Sequence, residues 1–311
     1  MLEMMTAAQL PKPTGPGTVN LLSSAGTMKV STDQALAWMI GRTIYIGQPQ
    51  QTTAGNTPVT FNLDTKIWGS LAGNGYNYSQ SAVAVGAVSG ASQAFIHSGY
   101  RQPAPNGTSV IVNSFFSITP QGIYTTKTAA PTTVSTTAFA MAGPDNFGKL
   151  GKWGGYPFGN VGMQLYNLAD DTWSTSSAPG TANERRLHGM TYYNRNFYII
   201  GGIGNPYAFP TSILVWSNAT GAWTTIVGSS LNALAYISPV VINGFIYIFG
   251  GFTINNVWTN TLLKYDIANN VWYTVALSLT LPNIASPCVV SDGTLLYVYE
   301  PSSGKLWSIA V

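Results

Sequence analysis

The chain has 311 residues, of which 45% are hydrophobic and 12% aromatic, so it can build a packed core and does not have a disordered composition. Charged residues make up 7%, against about 25% in an average soluble domain, so Ser, Thr, Asn, Gln and Gly must supply most of the polar surface. The net charge of +3, without a basic run, argues against a nucleic-acid partner. No stretch of 18 apolar residues predicts a membrane-spanning helix.

The first 17 residues predict an arm outside the folded domain. They contain three prolines, Pro11, Pro13 and Pro16, and scattered apolar side chains. They lack a basic start followed by an apolar block, so no secretory signal is expected. We therefore assign residues 1–17 to an N-terminal arm and residues 18–311 to one domain.

A pattern of about 50 residues recurs five times along the domain. Each copy predicts four short strands: the second is apolar and ends in glycine, the third carries an aromatic residue, and a polar turn precedes the fourth. An aromatic residue opens each fourth strand: Trp68, Tyr124, Trp173, Trp223 and Trp272. Their spacings are 56, 49, 50 and 49 residues. The double glycines Gly201-Gly202 and Gly250-Gly251 predict points where the chain turns or approaches another segment closely.

The last copy is one strand short. Residues 286–300 supply two strands, and residues 304–311, which include Trp307, supply a third. Residues 18–22 are predicted to supply the fourth, so that the two ends of the chain pair and leave no open edge. The predicted fold is therefore all-β: a six-bladed β-propeller of four-stranded blades, with the last blade closed by the N-terminal strand.

These repeats resemble those of the kelch family, whose period is longer than that of WD repeats. The resemblance covers roughly residues 30–311 and is strongest in the copies that contain Trp223 and Trp272. It departs at Gly47-Gln48 and Ser98-Gly99, where the family pattern has two glycines. The resemblance implies kelch-like blades and a scaffold that binds partners, although the fold alone does not identify the partner.

The acids and bases of the chain offer little for catalysis. Four aspartates share the turn between third and fourth strands: Asp64, Asp170, Asp171 and Asp266. Asp292-Gly293 predicts a hairpin turn, and Cys288 lies in an apolar run that predicts a buried side chain. His97 and His188 belong to different repeats, so neither a metal site nor a pair of carboxylates for glycoside hydrolysis is expected. We predict a non-enzymatic protein without a cofactor.

Two families of propeller enzymes invite comparison. Copper oxidases that resemble kelch propellers use a Tyr–Cys pair and two histidines, but His97 and His188 are not spaced as a pair. Six-bladed sialidases use an arginine triad and a Ser-x-Asp-x-Gly-x-x-Trp turn, which residues 217–223 match only faintly. Arg185 and Arg186 are adjacent and would point apart on a strand. Both enzymatic interpretations are rejected.

The candidate binding surface is formed by the loops between second and third strands together with the connections between blades, which are expected on the same face. These loops carry aromatic side chains suited to sugar rings or to a protein partner, and residues 184–188 hold the densest charge cluster of the chain. The candidate residues are Tyr100, Arg101, Tyr156, Phe158, Glu184, Arg185, Arg186, Tyr207, Phe209, Phe252 and Trp258. The alternative interpretation is that the aromatic residues pack against neighbouring blades and that residues 184–188 form a solvated turn.

The preferred functional hypothesis is a non-enzymatic structural or attachment protein of a virus particle, specifically of a bacteriophage. Scarce charge with abundant Thr, Ser, Asn and Gly resembles the composition of phage fibre and decoration proteins. The arm would dock on other virion proteins, and a host-surface glycan or protein is the candidate external partner; nucleic acid and membrane insertion are not expected. A glycan-binding lectin-like propeller and a kelch-type protein-interaction adaptor are the alternatives. The expected location is the extracellular particle, reached without a signal peptide.

Overall fold

The computed structural model of the chain is all-β. Six four-stranded antiparallel sheets form the blades of a β-propeller, and their first strands are neighbours in sequence order around the ring. None of the residues described belongs to a helix that could cross a membrane. The structure describes residues 16–24, 35–47, 58–72, 82–97, 114–131, 140–159, 161–180, 183–227 and 233–311, and the backbone of 100–101 and 110–111.

The first strand of the chain, β1 (Thr18–Ser23), belongs to the last blade. Blade 1 contains β2 (Leu36–Ile40), β3 (Thr43–Gly47), β4 (Val59–Asn62) and β5 (Trp68–Ser70). Blade 2 contains β6 (Ala82–Val88), β7 (Ala91–His97), β10 (Phe115–Ile118) and β11 (Tyr124–Thr126), with the short strands β8 (Tyr100–Arg101) and β9 (Val110–Ile111) in one of its loops. Blade 3 contains β12 (Ala140–Ala142), β13 (Lys149–Trp153), β14 (Gln164–Asn167) and β15 (Thr172–Thr175).

The second half of the ring repeats this order, with two further pairs of short strands. Before and within blade 4 come β16 (Arg185–Arg186), β17 (Gly189–Tyr193), β18 (Asn196–Ile200), β19 (Ile203–Gly204), β20 (Ile213–Ser217) and β21 (Trp223–Ile226). Before and within blade 5 come β22 (Leu234–Ala235), β23 (Val240–Ile242), β24 (Phe245–Phe249), β25 (Phe252–Thr253), β26 (Leu262–Asp266) and β27 (Val271–Val275). Blade 6 contains β28 (Cys288–Ser291), β29 (Leu295–Glu300), β30 (Lys305–Ala310) and β1.

The core is divided into six hydrophobic clusters, and each cluster lies between two adjacent blades. Successive side chains of a strand point to opposite faces, so each blade contributes to two clusters. In β3, Ile44 and Ile46 pack with Tyr299 of blade 6, whereas Tyr45 packs with Ile96 of blade 2. Because both faces of a blade are buried, some middle strands are apolar throughout rather than alternating, for example β24.

The ring is closed by the pairing of β1 with β30, which confirms the predicted split of the last blade. The two strands are antiparallel, with Thr18 opposite Ala310 and Leu21 opposite Trp307. Residues 1–15 lie outside the described residues, as do Gln48 and Ser98-Gly99, so the arm and the two departures from the double-glycine pattern stay predictions.

Further contacts connect the closing strand and the first blade to their neighbours. The indole N–H of Trp68 in blade 1 donates to the hydroxyl of Ser23 at the end of β1, at 2.8 Å. On the face that carries the hairpin turns, the Arg42 guanidinium lies 3.1 Å from Asp64 and 3.1 Å from Asp292 of blade 6. Because the Arg42 side chain is 51% exposed in both pairs, water weakens them, and each contributes little free energy.

The double glycines have the role expected of them, because they turn the chain where a Cβ atom would not fit. Gly201 and Gly202 follow β18 with φ of +63° and +95°. The N–H of Gly202 donates to the carbonyl of Leu234 at 2.7 Å, so the end of blade 4 contacts the connection to blade 5. A Cβ atom on Gly201 would overlap this Leu234 oxygen.

The closure predicts that two N-terminal deletions differ sharply. Deletion of residues 1–25 removes β1 and leaves β30 as an unpaired edge, so we expect a lower melting temperature and aggregation. Deletion of residues 1–12 leaves β1 in place, so folding should be unchanged. Thermal unfolding with light scattering measures both, and equal stability of the two truncated proteins would show that β1 does not close the ring.

Substitutions at two glycines separate backbone strain from steric overlap. Gly201 and Gly221 have φ of +63° and +68°, but a Cβ atom on Gly221 would meet no atom within 4 Å. We expect Gly221→Ala to lower the free energy of unfolding by about 1 kcal/mol, the cost of a left-handed backbone with a side chain. Gly201→Ala should cost at least about 2 kcal/mol more, because it also overlaps Leu234. Urea unfolding measures the difference, and equal losses would contradict the close approach at Gly201.

Candidate functional site

Short strand pairs join two kinds of loop on one face of the propeller. The connection from blade 3 to blade 4 contains β16, which pairs with β19 in the loop between the second and third strands of blade 4. The connection from blade 4 to blade 5 contains β22, which pairs with β25 in the corresponding loop of blade 5. The predicted common face of these loops is therefore present, and we call it the loop face.

Four of the predicted residues meet on the loop face and form what we call the Arg186 cluster: Tyr156, Phe158, Arg186 and Tyr207. The Arg186 guanidinium carbon lies 5.1 Å from the ring centre of Tyr156, 5.6 Å from that of Phe158 and 5.3 Å from that of Tyr207. Arg186 also donates to the Tyr207 hydroxyl at 2.9 Å. Tyr207 is 74% exposed, so the cation is held by the rings while the outermost ring stands in solvent.

Arg185 lies on the other side of the same short strand, and only 1% of it is exposed. Its guanidinium donates to the backbone carbonyl and the hydroxyl of Ser212, each at 2.8 Å. Burial lowers the pKa of Arg185 to about 10, so the side chain stays charged at neutral pH. Arg185 therefore supports the loop from beneath, and Arg186 is the arginine that a ligand can reach.

His188 follows two residues later and is buried beside Arg185. Its ring packs against Trp153 with a centroid distance of 5.3 Å. Burial, together with the positive charge of Arg185, lowers the pKa of His188 to about 3. The imidazole is therefore neutral at physiological pH and does not add to the charge of the loop face.

A second group of aromatic side chains, the Trp258 cluster, consists of Tyr236, Phe252 and Trp258. The ring centres of Phe252 and Trp258 are 4.9 Å apart, and that of Tyr236 lies 5.4 Å from Trp258. Ile254 and Val257 of the same loop are 59% and 51% exposed. This cluster is apolar, so the two clusters give the loop face one cationic and one apolar surface.

The remaining predicted residues are placed as follows. Glu184 and Phe209 are half-buried. Tyr100 and Arg101 form β8, and their side chains lie outside the described residues. Tyr236 was missed, although the repeat could have revealed it: Tyr236 directly follows β22 in the connection to blade 5, as Leu187 directly follows β16 in the connection to blade 4, and both have a φ near +57°.

A cavity of about 480 Å³ lies at the centre of the ring, where the first strands of all six blades meet. Most of its described lining residues have apolar side chains and none is Asp, Glu, Lys or Arg; His188 is at its wall. Among the described residues, no three His, Cys, Asp or Glu side chains come together as a metal would need. The turn aspartates are engaged elsewhere: Asp266 accepts from backbone N–H groups of its own turn, and Asp171 accepts from the Tyr166 hydroxyl.

The comparisons with known proteins agree with this architecture. The family profile described as Kelch motif matches residues 233–276, which contain part of the connection to blade 5 and all four strands of that blade. Kelch-like protein 38 of Mus musculus is 23% identical over 155 residues, which are 47% of this chain and 26% of that protein. The chain thus matches about a quarter of the length of this relative. Together with the six blades, these matches support a kelch-repeat β-propeller, a fold whose general role is a scaffold for protein interactions.

Lys152 is a buried cation that the sequence did not single out, and it predicts a pH effect on stability. The side chain is 2% exposed, and its amine donates to the side-chain oxygen Oε1 of Gln164 at 2.9 Å. Burial lowers the pKa of Lys152 from 10.5 to about 7. At a pH between these two values, Lys152 therefore releases a proton when the chain folds. Because the unfolded chain binds more protons in this window, the free energy of unfolding should rise with pH there, by up to about 1.4 kcal/mol per unit.

The variant Lys152→Met isolates this contribution. Tyr and Cys side chains titrate equally in both proteins, so the difference in unfolding free energy between wild type and variant reports on Lys152. We expect the free energy of unfolding of the variant, relative to that of wild type, to fall as pH is raised from 7 to 9. Urea unfolding measures this difference. A difference that stays constant over this range would mean that Lys152 keeps its ordinary pKa in the folded protein.

Proposed function

We propose that this chain is a non-catalytic binding propeller that engages its partner through the loop face, and that it serves as a structural or attachment protein of a virus particle, specifically of a bacteriophage. The observation that carries the binding role is the Arg186 cluster. Its cation has no carboxylate within ion-pair distance in the described part of the chain, and it stands beside an exposed aromatic ring. Such a combination is typical of binding surfaces, where Arg and Tyr supply much of the affinity.

The distribution of titratable groups favours binding over catalysis. The described turn aspartates lie on the face opposite the loop face, where their hydrogen bonds stabilise turns. Asp292, for example, accepts from the Tyr297 hydroxyl and from the backbone of Leu295, and these hydrogen bonds lower its pKa although burial alone would raise it. His188 is neutral and buried. The described residues thus offer the loop face recognition chemistry rather than a matched acid and base.

The assignment to a virus particle is supported by the composition. Only 7% of the residues are charged, whereas hydroxyl and amide side chains and glycine are abundant, as in phage fibre and decoration proteins. A closed ring that leaves only the short outer edges of its blades suits a part that must persist outside a cell. In this proposal, residues 1–17 dock on other virion proteins and the loop face points outward.

Purified particles test this proposal directly. We expect mass spectrometry to detect the chain in particles, and antibodies against it to label them. Deletion of residues 1–12 should abolish incorporation without changing the melting temperature of the isolated protein. Absence of the full chain from purified particles would refute the virion role, and normal incorporation of the truncated chain would refute the docking role of the arm.

A further inference from the structure

The Arg186 cluster holds a positive charge that no carboxylate of the described residues neutralises. In the part of the chain that the structure describes, both ion pairs involve Arg42, on the opposite face. Glu184 is two residues from Arg186 but does not pair with it. Arg185, directly beneath, is a second cation and is bound by neutral groups of Ser212. The cluster therefore attracts an anion from outside the chain.

The rings hold the Arg186 guanidinium in a defined position. Three aromatic side chains surround it, and its bond to the Tyr207 hydroxyl orients both partners. An arginine held in this way loses little side-chain entropy when it binds an oxyanion, which favours recognition of carboxylate or sulfate groups. The charge is thus presented as a binding group rather than left on a mobile side chain.

The exposed ring of Tyr207 defines the rest of the ligand. It is 74% exposed while its hydroxyl is engaged by Arg186, so the flat face of the ring remains open beside the cation. An aromatic face packs well against the C–H groups of a pyranose ring, and the polar edge of tyrosine tolerates the surrounding water. A ligand that satisfies both groups carries an anionic substituent next to a sugar ring.

We propose that the Arg186 cluster binds anionic saccharides, with Arg186 bound to a carboxylate or sulfate group and Tyr207 stacked on the adjacent sugar ring. This inference rests on the proposed binding function and assigns its ligand. It does not depend on the virion role, because a purified full-length chain is enough to test it.

The test measures binding of the full-length protein to three saccharides by calorimetry: sialyllactose with a carboxylate, a sulfated lactose with a sulfate and no carboxylate, and neutral lactose. We expect at least one anionic saccharide to bind and lactose not to bind, and the comparison of the first two identifies the anionic group. Arg186→Met and Tyr207→Ala should each weaken binding by at least about tenfold, since both groups contact the ligand. Binding should also weaken as salt is raised.

Two control variants carry the same chemical changes on the opposite face. Arg195 and Tyr193 lie at the hairpin between β17 and β18 and are exposed. Arg195→Met removes the same charge and Tyr193→Ala the same ring, so both should bind like wild type. The melting temperature of each variant identifies any that is destabilised. Arg186→Lys keeps the charge without the planar guanidinium, so it should bind the anionic saccharide more weakly than wild type.

The inference is overturned if no anionic saccharide binds, if lactose binds equally well, or if Arg186→Met and Arg195→Met reduce binding to the same extent. A poly-glutamate peptide that binds with the same dependence on Arg186 while the saccharides do not would identify an acidic protein segment as the ligand instead. A chain present in particles that fails these tests refutes only the saccharide ligand. A chain absent from particles that passes them refutes only the virion role.

Discussion

The pairing of β1 with β30 is the constraint on which the rest of the structure depends. Each blade has two apolar faces, and among the described residues each face packs against the neighbouring blade in the ring. An open array would leave two blades with an uncovered face and an unpaired strand edge. Because the closing strand comes from the N-terminal end of the domain and its partner from the C-terminal end, the core becomes complete only when the whole chain is in place.

Closure also determines what the loop face can do. The loops are held at their bases by short strand pairs and by glycines whose N–H groups bond to the next connection, as Gly202 does to Leu234. Arg185 is buried under this layer, which leaves Arg186 among the aromatic rings at the surface. The opposite face carries hairpin turns in which aspartates such as Asp266 stabilise the backbone. Stability and recognition are thus assigned to different faces of one ring.

Much of the fold could be predicted from the sequence because the repeat is periodic. The aromatic residues that open the fourth strands, the double glycines and the incomplete last copy were enough to predict six blades and the strand at residues 18–22. The candidate site was predictable only as a face. Which aromatic residues meet depends on the long-range pairing of β16 with β19, and no local pattern shows that Tyr156, Arg186 and Tyr207 converge. Buried Lys152 was missed because β13 carries two lysines in five residues, and no alternating pattern shows which of them is buried.

Hydrogen exchange of the native protein tests the closure most directly. If β1 is an integral strand, the amides that pair β1 with β30 should exchange only through global unfolding, with the same opening free energy as the amides between β18 and β20 in blade 4. If the β1 amides exchange with a low opening free energy while the amides of blade 4 stay protected, β1 is not an integral strand. That result would mean that the ring holds together without the N-terminal strand.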